Sequence, residues 1–409
     1  MKVDCQDVLT QVQRGVVDTF PEGELAKKLE KSRKEGRPLK VKLGVDPTGT
    51  DLHLGHIVPL LKLKQFQDLG HQAILIIGDY TATVGDPSGR NKARPQLTHE
   101  QVMANCKTYT EQVFKIIDRE RTQVVYNGTW FSKMGFSDVI NLLSNMTLAR
   151  MLEREDFAHR FQNQLPISLH ELAYPLMQGY DSAMIQADIE LGGTDQKFNI
   201  LVGRELQKDL GQEPQVGLCV PILLGTDGKE KMSKSLGNYI ALDDPPEEKF
   251  GKIMSIPDEL MPMYFELLTD VPLDELDRMQ QEVQAGTLHP AKLKRRLARD
   301  IVARFDGEDA AVSAEQHFDL VFVDKDVPDD VMEISFSRAQ LEDNRIWIIK
   351  LITEAGFAGT NSEARRLVSQ NAVRIDDEPI TNPDLDWEVQ DGALLKVGKR
   401  SFARICLVD

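Results

Sequence analysis

His53 and His56, three residues apart in Asp46-Pro-Thr-Gly-Thr-Asp-Leu-His-Leu-Gly-His56, and Lys231 and Lys234, three apart in Lys231-Met-Ser-Lys-Ser235, are the residues of this 409-residue chain whose types and spacing speak most directly of chemistry. Such groups handle anions, above all polyphosphates. Imidazole N–H and ammonium groups stabilise negative charge spreading over phosphate oxygens without forming covalent bonds. Gly55, between the histidines, lets a nucleotide approach the backbone closely. Alone, a histidine pair at a helix start is often an ordinary exposed pair, and a Lys/Ser-rich loop is usually solvated. The two motifs in this order in one chain are far harder to meet by accident.

Regular elements must bring these groups together. Residues 38–45 read as a strand, with Val41, Leu43 and Val45 on one face and Lys42, Gly44 and Asp46 on the other, the polar face expected to look into a cavity. Ile57, Leu60, Leu61, Phe66 and Leu69 then recur at helical spacing up to Gly70, so the histidines stand where a strand becomes a helix, a natural anion site. The apolar run from Ala73 to Ile77 reads as a buried parallel strand. Residues 39–79 thus form a βαβ unit with a right-handed crossover, its ligands beyond the carboxyl ends of the strands. A turn of small residues follows there, with Asp86, Arg90 and Arg94 supplying both signs of charge. The lysine loop, flanked by Gly225 and Gly237, reads as a hinged phosphate clamp.

Residues 100–118 and 138–160 show helical periodicity, the second apolar almost all round, as core or as a face that meets another subunit. Tyr174, Gln178 and Asp181 fall on one side of a helix that begins near Pro175. The segment from Ala187 to Asn199 reads as a strand ending in a glycine pair and an acid suited to a ribose hydroxyl, then a new helix.

The chain carries 49 basic and 65 acidic residues, a formal charge of −16, which argues against a generally basic nucleic-acid binder and confines any RNA contact to local patches. Cys5, Cys106, Cys219 and Cys406 lack the spacing of a zinc site or a disulfide framework, so no metal site is expected among them. Neither a signal peptide nor a membrane span is legible, and a cytoplasmic protein is expected. The fold class is α/β: a Rossmann-like parallel-sheet catalytic domain over 1–240 with N-terminal helices, a charged α-helical domain over 241–325 after Pro245-Pro246, an Asp-rich linker over 326–340, and a small α+β module over 341–409.

Together the two motifs resemble the signatures of class I aminoacyl-tRNA synthetases. With Tyr174, Gln178 and Asp181, then Gly192-Gly193-Thr194-Asp195-Gln196, essentially the whole chain resembles the bacterial tyrosyl-tRNA synthetases. The resemblance implies that His53, His56, Lys231 and Lys234 act on ATP, brought with Mg²⁺, and that Thr48, Gly55, Gly193, Asp195 and Ser235 complete the nucleotide site. It implies that Asp86, Tyr174 and Gln178 hold the α-amino group of L-tyrosine, that Asp181 accepts from its phenol and that Gln196 lines the slot. Many members place a tyrosine, a second phenol contact, where this chain has Lys42. The lysine is therefore expected to donate to the phenol or to pair with Asp181.

By the same resemblance the segment near 127–165 is a homodimer contact, and the helical domain, with Lys292, Lys294, Arg295, Arg296 and Arg299 off its apolar stripe, meets tRNA(Tyr). The C-terminal module resembles the S-four RNA-binding module, with Arg365, Arg366, Lys396, Lys399, Arg400 and Arg404 as phosphate-facing residues. The tyrosine carboxylate is ionised at neutral pH, so activation needs no general base. Rival readings are a tryptophanyl-tRNA synthetase, which would not need the Tyr174, Gln178, Asp181 set, a nucleotidylyltransferase, which would need neither the lysine loop nor the C-terminal module, and a non-catalytic RNA-binding paralogue.

Overall fold

Strand β2, Lys40–Val45, lies in the middle of a six-stranded sheet ordered β1-β6-β5-β2-β3-β4. The others are β1 (Asp18–Phe20), β3 (Gln72–Ile77), β4 (Thr122–Tyr126), β5 (Ile189–Gly193) and β6 (Val216–Val220). All neighbours are parallel except β1, which pairs antiparallel with β6. The chain winds outward from β2 through β3 to β4, then returns to lay β5 on the other side of β2. That reversal makes the carboxyl ends of β2 and β5 the switch point where such sheets bind ligands. The computed structural model describes residues 5–88, 97–323, 332–337, 341, 344–376, 378–398 and 401–408. Arg90, Arg94, Lys399, Arg400 and most of the expected linker lie outside the described residues.

The helix Leu54–Asp68 makes the β2–β3 crossover and buries Leu54, Ile57, Leu60, Leu63 and Phe66 completely. Each such side chain contributes roughly 1.5–3 kcal/mol of burial. Lys62 on this helix is also buried. Its ammonium donates to the backbone oxygens of Val12 and Arg14 and to Gln65, which ties the N-terminal helix Cys5–Gln13 to the sheet. Burial brings its pKa down to about 8.

The expected helix over 138–160 is three: Phe136–Leu143, Leu148–Met151 and Glu155–Gln162. Side chains cause the break. Ser144 and Asn145 donate back to the oxygen of Asn141, and the hydroxyl of Thr147 accepts from Arg150 N at 3.2 Å, starting a new turn. Phe136, Ile140 and Leu143 stay exposed on the first helix and Phe161 on the third.

Residues 1–316 form one compact unit and 317–409 a second. Within the first, the helices after Pro245 include Met261–Leu268, packed on the crossover helix, and Pro290–Asp306, with Leu293, Leu297 and Ile301 buried. Of the basic residues expected to face RNA from this last helix, Lys292, Arg296 and Arg299 are exposed, Arg295 is half-buried and Lys294 is buried. Lys294 is buried on the oxygen of Ile256 and Asp258, while Arg295, Arg296 and Arg299 pair with Glu315, Glu275 and Glu308.

In the second unit a five-stranded sheet runs β10-β9-β12-β13-β7, with a separate pair of β8 and β11. The strands are β7 (Met332–Ser337), β8 (Arg345–Trp347), β9 (Val373–Ile375), β10 (Glu378–Pro379), β11 (Asp386–Glu388), β12 (Leu394–Val397) and β13 (Ser401–Val408). The helices Ile348–Glu354 and Asn361–Ser369 carry the core residues Ile349, Ile352, Ala364 and Val368. β7 falls within the expected linker. Its alternation buries Phe336, and it runs parallel to β13, so these six residues belong to the sheet.

Candidate active site

A cavity of about 320 Å³ opens at the carboxyl ends of β2 and β5. His53, Gly55 and His56 line it from the helix start, Lys231, Met232 and Ser233 from the loop, and Gly192, Gly193, Asp195 and Gln196 from the end of β5 and its turn. Sequence-distant segments are stitched together there. Leu54 N donates to Ile240 O at 3.0 Å and Leu242 N to Leu52 O at 2.8 Å, while a Cβ on Gly55 would sit 3.6 Å from the Cβ of Met232. The loop itself is fastened. Met232 is buried, Met232 N donates to Leu223 O, and Ser233 N donates to Asn238 Oδ1, both at 2.9 Å. Gly225, expected as a hinge, is a packing residue, because any Cβ there would run into Asn238. Lys234 turns outward, its ammonium 2.8 Å from Asp51, and Ser235 contacts Ser233 at 3.0 Å; neither lines the cavity in this state.

The two imidazoles stack with centroids 3.7 Å apart. His53 N donates to His56 Nδ1 at 3.4 Å, an arrangement that leaves the proton of His56 on Nε2. Burial, with His56 and Lys234 nearby, brings the pKa of His53 down to about 2. His53 is therefore neutral at physiological pH. Thr48 is held by a tight turn, its N–H donating to Asp46 O at 2.8 Å. Burial and the neighbouring Asp86 raise the pKa of Asp195, and Lys231, which lines the same cavity, draws it back down.

Deeper in the cleft, Asp181 is buried at the end of a donor cage. Trp130 Nε1 donates to Oδ1 at 2.9 Å and Asn127 Nδ2 to Oδ2 at 3.2 Å. Desolvation still wins over those donors and over Lys42, and the carboxyl pKa rises to about 7. Neither Asn127 nor Trp130 is singled out by the sequence, since both act across more than fifty residues with no periodic signal. The hydroxyl of Tyr174 donates to Asp46 at 2.9 Å, which presents its oxygen as an acceptor. Asp86 accepts from Ser88 N, the Ser88 hydroxyl and Gln196 Nε2. Asn199 Nδ2 bridges the Oε1 atoms of Gln178 and Gln196 at 2.9 and 3.0 Å.

A phenol donating to Asp181 would favour its ionised form, so the pKa must fall on binding. Below about pH 7 the empty site keeps its proton and a phenolic ligand expels it; affinity then rises with pH to about 7 and levels off above. Calorimetry in two buffers of different ionisation heat at about pH 6 should show proton release, and none at all would contradict the assignment.

Lys42 is not where the resemblance puts it. It is fully buried below the cavity, and its ammonium donates to Gln178 O at 2.8 Å, Ser182 Oγ at 2.7 Å and Glu190 Oε1 at 2.9 Å. Three donors meet three protein acceptors, which corrects the expected contact with a phenol or a pairing with Asp181. A central parallel strand is covered on both faces, so the polar face of β2 is sealed at Lys42 and opens only at Gly44 and Asp46.

A histidine motif and a lysine loop meeting over the switch point of a parallel sheet are what a class I aminoacyl-tRNA synthetase requires. Family models agree: tRNA synthetases class I (W and Y) matches residues 34–323, and the S4 domain matches residues 346–386. Among curated relatives, a tyrosine--tRNA ligase of Moorella thermoacetica is 53% identical over 403 residues, 98% of this chain and 96% of its own. One of Thermotoga maritima is 52% identical over 394 residues, 96% of each. The chain belongs to the tyrosine--tRNA ligase family. The solved tyrosyl-tRNA synthetase of Archaeoglobus fulgidus, complexed with L-tyrosine, aligns with a TM-score of 0.63 at 24% identity, covering 76% of this chain and 100% of that one, a likeness of fold.

In the S4 unit, Arg366 is exposed, whereas Arg365 pairs with Asp384 at 2.7 Å and stacks over Trp347 at 5.3 Å. Lys396 lies over the Phe402 ring, and the exposed Arg404 donates to Gly392 O at 3.2 Å. Among the described residues, no helix is long and apolar enough to cross a membrane, and no cluster of three His, Cys, Asp or Glu could hold a metal.

Proposed function

We propose that the cleft joins the carboxylate of L-tyrosine to the α-phosphorus of ATP, expelling pyrophosphate, and that the tyrosyl group then passes to the 3′-terminal adenosine of tRNA(Tyr). The observation that supports this reading is the seam between residues 52–54 and 240–242, beside which His53, His56 and Lys231 line one cavity. The nucleophile arrives ionised, so rate comes from alignment and from stabilising charge on the phosphates. His53 and His56 supply N–H donors from the helix start, Lys231 and Lys234 positive charge, and Thr48 and Ser235 hydroxyls. Mg²⁺ travels with the nucleotide as part of the substrate. Gly55 lets the nucleotide close on the backbone, while Gly193 and Asp195 hold the ribose. Asp86, Tyr174 and Gln178 take the α-amino group, Gln196 lines the slot, and Asp181 accepts from the phenol. A phenylalanine would leave that buried acceptor and its donor cage unanswered, which penalises the wrong substrate.

In this reading residues 1–240 catalyse, 241–325 face the anticodon end of the tRNA, and Arg365, Arg366, Lys399 and Arg400 meet RNA phosphates, in a cytoplasmic enzyme. Tyrosine-dependent exchange of labelled pyrophosphate into ATP is the deciding assay. Exchange driven by tryptophan, or no exchange with any amino acid, would reject the assignment.

The exposed Phe136, Ile140 and Leu143 of the segment near 127–165 suit a two-fold contact with a second copy. Replacing Ile140 by Glu should then halve the sedimenting mass; a variant unchanged in mass would remove this surface from the interface.

A further inference from the structure

Gln178 stands between two groups of opposite hydrogen-bonding character. Its Nε2 donates to Glu190 Oε1 at 3.0 Å, and its Oε1 accepts from Asn199 Nδ2 at 2.9 Å. Glu190 is fully buried, and an ionised carboxylate only accepts. Its Oε1 also receives Lys42 Nζ at 2.9 Å, and its Oε2 receives the Ser182 hydroxyl at 2.9 Å and the Gln215 amide. Lys42 in turn grips the backbone oxygen of Gln178. On the other side Asn199 is committed as well, with its Oδ1 accepting from Arg154 at 3.0 Å and its Nδ2 shared with Gln196.

A glutamine amide has nearly the same shape in its two flipped states, so hydrogen bonding alone decides between them. Flipping Gln178 would set its N–H groups against those of Asn199 and its oxygen against the carboxylate, two buried mismatches at once. The state this selects places Oε1 beside the Oε1 of Gln196, another cavity residue. A carbonyl oxygen is what an ammonium needs; amide hydrogens there would repel it. Lys42 supplies the opposite charge that a carboxylate so far from water needs as its partner.

We propose that Glu190 and Lys42 are positioning residues for amino-acid recognition: the buried ion pair orients the amide of Gln178 so that its oxygen is offered to the α-ammonium of the substrate. This rests on the reading in which Gln178 holds the α-amino group.

The test uses the full chain and two ligands, tyrosine and 3-(4-hydroxyphenyl)propionate, which lacks the amine. Neutralising both partners, Lys42→Gln with Glu190→Gln, avoids stranding a buried charge and gives position 190 an amide able to accept either flip state. Tyrosine should bind about tenfold more weakly and the propionate unchanged. Equal weakening of both ligands would mean general damage to the cleft and overturn the proposal, as would no weakening of either. Gln178→Ala is measured alongside. If it loses the amine preference while the double variant keeps it, Gln178 holds the amine and the positioning role alone falls. If Gln178→Ala keeps the preference, the reading of Gln178 falls and the proposal with it. Should the double variant not fold, Asn199→Asp removes the opposing N–H donor from Gln178. The same amine-specific loss is expected there, and its absence rejects the mechanism.

Discussion

Lys234→Ala is expected to slow tyrosyl-adenylate formation about 10²–10³-fold while leaving tyrosine affinity within about twofold. The geometry behind this is the outward turn of Lys234, whose ammonium rests on Asp51 and does not line the cavity. A group absent from the amino-acid slot contributes nothing to ground-state tyrosine binding. A cation held at the mouth of the cleft can still swing onto phosphates as charge develops there. Rapid-quench measurement of adenylate formation beside equilibrium dialysis of tyrosine separates the two quantities. Equal losses in both would place Lys234 in ground-state binding and contradict the role.

Lys42→Met, by contrast, should act first on folding. It leaves Glu190 charged and 1% exposed without its cation, a cost of about 3–5 kcal/mol in comparable buried pairs. Against a total stability of about 5–15 kcal/mol, that is a large fraction. Denaturant titration should show the midpoint falling with little change in slope. Adding Glu190→Gln should recover much of the loss, because no charge is then left to strand and the amide oxygen still accepts from the Ser182 hydroxyl or the Gln215 amide. A single variant as stable as the parent would show that Glu190 has found another partner or a proton.

These two residues mark what the sequence can and cannot disclose. Lys234 belongs to a local pattern whose chemistry is readable from residue types, as do His53, His56 and the Tyr174, Gln178, Asp181 set on one helix. Alternation along β2 correctly puts Lys42 on the side of Gly44 and Asp46, yet it carries no information about where along that side the cavity stops. Only the packing of Gln178, Ser182 and Glu190 over the lysine decides that. Asn127 and Trp130 were out of reach for a different reason: their partner Asp181 lies on another element, and nothing in the spacing couples them. The break in the helix expected over 138–160 was legible in principle, since Ser144, Asn145 and Thr147 are residues that compete with helical backbone bonds.

The way the lysine loop is anchored bears on how much must move during a turnover. Leu223, Met232 and Asn238 fix its two shoulders to the body of the protein, so the span left to travel is only the crest from Ser233 to Gly237. Lys234 already sits on one anion, Asp51, and in the proposed reading exchanges it for another when a triphosphate enters. Such a hand-over orders few residues that were not ordered before. On that reading the movement is nearer to a finger changing its grip than to two domains clapping shut.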